Sequence, residues 1–125
     1  MRFMMIVKHP ENQGPPPKGF LEEMAKIGEA AAKSGAMIAS GGLAPTASST
    51  RVRVSGGQVD AIDGPFTEAK EIVGGFAIFE HPSKQAAVAS ARDFMEMHRK
   101  FWPGWEGETE VRQICGPEDA FPKAK

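Results

Sequence analysis

Two stretches of this chain place apolar residues at helical spacing, and each is bracketed by short apolar runs that suit strands. In the first, Phe20, Leu21, Met24, Ile27 and Ala31 fall on one side of a segment starting at Gly19, with Glu22, Glu23, Lys26 and Lys33 elsewhere. Ser34-Gly35 closes it, glycine supplying the left-handed residue that helix ends favour. In the second, Ser83 is an N-cap with Pro82 just outside, and Ala87, Val88, Ala91, Phe94, Met95 and His98 share a face. Two such faces call for a sheet beneath them.

The sheet is legible in the runs between. Arg2 to Lys8 reads as a buried strand with the β-branched pair Ile6-Val7, ended by His9-Pro10 and followed by the Pro/Gly loop "ENQGPPPKG". Ala36 to Ser40 reads as a second strand that breaks at Gly41-Gly42. In "TRVRVSGGQVDAID", Val52 and Val54 alternate with Arg51 and Arg53, Gly56-Gly57 makes a tight turn, and Val59 and Ile62 lie on the return. The pattern predicts a hairpin with one wet face. Ile72 to Glu80 is the strongest strand, and "ETEVRQI" alternates as the last. With the hairpin set aside, the order is βαββαβ, an α+β fold of ferredoxin-like type. Both helices cover one face of its antiparallel sheet. Phe76, Ile78 and their neighbours make the other face too apolar to stay wet, so the chain is expected to pair sheet to sheet as a homodimer. The expected domain is 1–115, with 116–125 a loosely ordered tail.

Composition narrows the function classes. A chain of 125 residues, 41% hydrophobic and 25% charged, fits one globular domain. Its formal net charge of -1 lacks the basic excess of a nucleic-acid binder. One cysteine, Cys115, excludes an internal disulfide and a cysteine-based zinc site, and fits a reducing cytoplasm. The apolar run at the N-terminus is too short for a signal peptide, and no later segment is expected to enter a membrane.

The block "DGPFTEAKEIVGGFAIFE" carries the main candidate, Asp63. A carboxylate at a pocket mouth can act as general base or orient a ligand; in a turn it accepts backbone N–H groups while Gly64 and Pro65 set the geometry. Phe66 reads either as a plug under that turn or as a ligand platform. His98, on the apolar face of the second helix, suits a proton shuttle if a carboxylate reaches it, and equally a hydrogen-bonded packing residue. His9 ends the first strand where pockets open, and His81 reads as solvated. These histidines have no metal-ligand spacing, and no cofactor motif is present. Arg51 and Arg53 project to one face of the hairpin, as a clamp for a carboxylate or phosphate or as an ordinary wet face. Trp102, with Trp105 in "FWPGWEG", walls a pocket, locks the helix end or joins the dimer interface. "VGGF" at Gly74-Gly75 lacks the lysine and helix of a phosphate loop, so a bulge or close sheet packing is its expected meaning. Cys115 has no adjacent base and is no nucleophile.

The DGPF block, with "HRKFWPGWEGETEVRQI", the opening "MRFMMIVKH" and "SGAMIASGGLAPT", resembles the DGPF-domain branch of the YCII-related family over nearly the whole chain except the tail. The resemblance implies a ferredoxin-like domain that pairs into a dimeric α/β barrel. Some broader YCII-like proteins use a His–Asp pair in lyase-type chemistry, with the His near the first helix; this chain has no His in its first helix. Relatives of the branch are associated with extracytoplasmic-function sigma factors. Two functions stay open: a cofactor-independent acid–base enzyme using Asp63 with His98 or His9, and a non-catalytic ligand-binding, regulatory or partner-binding dimer. Arg51, Arg53, Phe66 and Trp102 are the expected ligand contacts.

Overall fold

The first strand, β1 (Arg2–His9), runs through the middle of the molecule, and its alternate residues divide the fold into two sides. The computed structural model describes residues 1–116, so the expected tail beyond Gly116 lies outside the described residues. After β1 come α1 (Lys18–Ser34), β2 (Met37–Gly42), a 3-10 turn (Thr46–Ser48), the hairpin β3 (Thr50–Ser55) and β4 (Gln58–Asp63), β5 (Ile72–Glu80), α2 (Lys84–Phe101) and β6 (Glu108–Gln113). The main sheet has the order β2-β5-β1-β6 and every pairing in it is antiparallel. That is the ferredoxin-like α+β arrangement, with β3 and β4 forming a separate two-stranded ribbon.

Phe3 and Met5 of β1 point to the side covered by α2, where they pack with Ala87 and Ala91 and with the half-buried Ala77, Phe79 and Val111. α1 lies beside α2, its buried Phe20 set against the His98 ring. The helix ends follow local chemistry. Gly35 adopts φ 74 and its N–H donates to the Ala32 carbonyl, while the Ser83 hydroxyl accepts from the Ala86 N–H at 3.1 Å. The opposite side of the sheet carries the cross-strand pairs Met4–Ile78 and Ile6–Phe76, bordered by Lys8, Glu110 and Arg112. Lys8 and Glu110 form an ion pair at 2.5 Å.

The structure corrects four expectations. β2 continues through Gly41 and Gly42 instead of breaking there, because β5 supplies hydrogen-bond partners at Phe76 and Gly75. A Cβ at Gly41 would lie 3.1 Å from the Phe76 ring, so the glycine admits a neighbour and leaves the ladder intact. Leu21 and Val88 are exposed, at the borders of their helices' apolar faces. The hairpin has two wet faces in the protomer, its valines included. His81 is packed against Phe79 and Phe3, with Nε2 buried and unpartnered. The "VGGF" segment does contain a bulge: Val7 pairs with Gly75 and Lys8 with Val73, leaving Gly74 as the extra residue. β2 carries a second one, with Ile38 unpaired between Met37 and Ala39.

Candidate functional site

Asp63 closes β4, and the next three residues turn the chain back under the 3-10 segment. Gly64 donates its N–H to the Ser49 carbonyl at 2.8 Å, and the Gly64–Pro65 peptide is cis. The approach is so close that a Cβ on Gly64 would lie 1.7 Å from the Thr46 carbonyl oxygen. Thr46 ties the turn to the rest of the molecule. Its N–H and hydroxyl donate to the two carboxylate oxygens of Glu11, at 2.7 and 2.6 Å, and its hydroxyl oxygen accepts from the Phe66 N–H at 3.3 Å. These bonds hold the Glu11 carboxyl below the usual carboxylate range. Asp63 itself accepts from the Thr50 hydroxyl at 2.8 Å through Oδ1.

Beside this turn lies an open groove of about 400 Å³. Leu43, Phe66, Ile72 and Val73 form its apolar part, and Arg51 and Glu71 are the charged side chains among its lining residues. The Arg51 guanidinium carbon stands 3.7 Å from the centre of the buried Phe66 ring, a cation–π stack. Arg51 also donates to Glu68 at 2.5 Å, an exposed pair. Glu68 is held below the ordinary carboxylate range, first by its own backbone N–H and then by Arg51. The Ser48 and Ser49 hydroxyls donate to the Pro45 carbonyl.

The histidines gather elsewhere. His98 is 4% exposed, boxed by Phe20, Phe94 and Trp105 with ring centres 4.4 to 4.8 Å away. Its Nδ1 lies 2.8 Å from the Phe94 carbonyl; a carbonyl only accepts, so Nδ1 carries the proton. Burial pushes its pKa below the ordinary value, outweighing the carbonyl's opposite effect. The Trp102 ring meets Phe20 edge-on at 5.0 Å and its backbone N–H donates to the His98 carbonyl, which places it at the helix end. The His9 ring centre lies 6.0 Å from that of Trp105, with Nδ1 donating to the Pro10 carbonyl at 2.7 Å. Its Nε2 nests against the Gly74 bulge, where a Cβ would lie 2.1 Å from it.

A family model described as the YCII-related domain matches residues 1–98. The chain belongs to that family. No curated protein matches it.

Within this YCII-related domain, Arg51 and Phe66 meet at the groove, with Asp63 next to the turn that holds Phe66. Arg53 stands opposite Asp60 on the hairpin, outside the groove lining. His9 and His98 share Trp105, and no hydrogen bond joins Asp63 to either imidazole among the described residues. Sequence reasoning missed Thr46 and Glu11. Their partners lie 35 and 20 residues away along the chain, so no local spacing marks them. Among the described residues no cluster of His, Cys, Asp or Glu could hold a metal ion, and no helix is long and apolar enough to cross a membrane.

Proposed function

We propose that this YCII-related domain, residues 1–115, is a homodimer that binds a small organic acid in the groove beside Arg51. The observation that carries this reading is the Arg51 guanidinium, stacked on Phe66 and lining a groove whose walls combine Leu43, Ile72 and Val73 with Thr46, Ser48, Ser49 and Glu71. Its present partner, Glu68, is exposed, and such a pair contributes only about 0–1 kcal/mol. A ligand carboxylate can therefore replace Glu68 at small cost and gain the paired hydrogen bonds a guanidinium offers. Leu43 and Val73 then flank the rest of the ligand, with the buried Phe66 ring backing the guanidinium. The reducing cytoplasmic setting expected from the single cysteine belongs to the same proposal, as does the sheet-to-sheet dimer.

A second reading, cofactor-independent acid–base chemistry, draws on two free proton-accepting positions. Asp63 keeps Oδ2 after Thr50 takes Oδ1, and His9 keeps the Nε2 lone pair once Nδ1 donates to Pro10. Thermal-shift and calorimetric titrations with benzoate, phenylacetate and short dicarboxylates separate the two. The binding reading expects one of them to stabilise the wild type, with affinity reduced about tenfold or more, 1.4 kcal/mol, in Arg51→Met. Asp63→Asn should retain that affinity. Stabilisation that survives in Arg51→Met, or none by any acid, would overturn the groove assignment. Turnover abolished by Asp63→Asn without loss of binding would favour the enzyme.

A further inference from the structure

Two opposite charges line the groove beside the Gly64–Pro65 turn: Arg51 from β3, and Glu71 just ahead of β5. They form no ion pair with each other, because Arg51 donates to Glu68, which is not a lining residue. Glu71 is exposed, and its carboxylate has neither a hydrogen bond nor an ion pair among the described residues. Lys8, a cation that feels its charge, is held instead by Glu110 at 2.5 Å. Leu43 and Val73, 50% and 40% exposed, lie beside the same groove with Ile72.

A plain carboxylate meets an unfavourable charge balance here. It releases Glu68 and adds its own charge, so one guanidinium faces three carboxylates: Glu68, Glu71 and the ligand's. Arg53 relieves the first of these. It shares a hairpin face with Arg51, makes no ion pair among the described residues, and its charge already acts on Glu68. Glu68 therefore has a second cation to turn to once Arg51 is taken. What stays in the groove is one guanidinium and one unpaired carboxylate. A guanidinium takes a carboxylate through paired hydrogen bonds, and an acceptor-only carboxylate is matched by an ammonium, which only donates.

We propose that the groove selects an amino acid, its carboxylate on Arg51, its ammonium on Glu71 and its carbon skeleton against Leu43, Ile72 and Val73. The proposal rests on the organic-acid reading and narrows that ligand to a zwitterion. A volume of about 400 Å³ lies at the small end of the roughly 300–1,000 Å³ typical of ligand sites, which suits a molecule of this size.

Isothermal titration calorimetry at neutral pH with matched ligands tests this. The pairs are 3-phenylpropanoate with phenylalanine, and pentanoate with 5-aminopentanoate; the members of each differ by one ammonium. At least one amino acid should bind the wild type about fivefold or more tighter than its deaminated partner. Glu71→Gln, a change at an exposed side chain, should erase that ratio while the plain acids keep or gain affinity. Acids that bind through Arg51, with amino acids no tighter, overturn the zwitterion and leave the organic-acid reading standing. A preference for the ammonium that survives in Glu71→Gln also overturns the proposal, because the ammonium then pairs elsewhere. Binding by none of these ligands, nor by the aromatic acids and dicarboxylates, removes the groove reading and the zwitterion with it.

Discussion

A methyl group on Gly64 would sit 1.7 Å from the Thr46 carbonyl oxygen, where backbone and not a flexible side chain must yield. Gly64→Ala should therefore cost about 1–3 kcal/mol as overpacking does, seen as a fall of at least about 5 °C in thermal melting. An unchanged melting temperature would show that the turn relaxes freely. His98 makes a different kind of prediction. Burial lowers its pKa in the folded protein, so below about pH 6.5 the unfolded chain binds more protons than the folded one. Stability should fall as pH drops through that region and level off once the folded ring also titrates. His98→Gln should flatten the curve; superimposable curves for the two proteins would count against a buried neutral imidazole. The residue scale is also where the sequence was least legible. The boxed His98 followed from helical spacing, whereas Phe20, Trp102 and Trp105 meet only because α1, α2 and the segment after α2 converge. His81 looked solvated because it precedes the α2 N-cap, yet the start of β1 and the end of β5 bring Phe3 and Phe79 to it.

At the scale of elements, periodicity and caps carried more. Ser83 caps α2 as its position before an alanine-rich face implies, and Ser83→Ala should cost about 1 kcal/mol in chemical denaturation. A much smaller loss would mean that tertiary packing alone holds the first turn. Strand and helix order were readable because each element keeps one period over its whole length. Glycine was the ambiguous letter. Gly74 marks a bulge and Gly35 a helix end, but Gly41 sits inside a strand because a Phe76 ring crosses it. No local signal distinguishes these uses; the neighbouring strand decides. The hairpin was legible as a hairpin, while its second exposed face was not, since alternation reports which residues share a face and not what covers it.

For the whole molecule, the proposed dimer places Met4, Ile6, Phe76 and Ile78 at its centre. Ile6→Glu, on the middle of β1, should convert the protein to a monomer in light scattering while keeping its circular dichroism. A variant that remains dimeric would move the contact away from the sheet face. The margin of that sheet has its own consequence. Ile38 is the surplus residue in β2, the outermost strand on that side, and it throws the backbone donors and acceptors out of step there. An incoming strand finds no continuous template along that border, so growth into fibrils is discouraged at the flank nearest the most apolar strands.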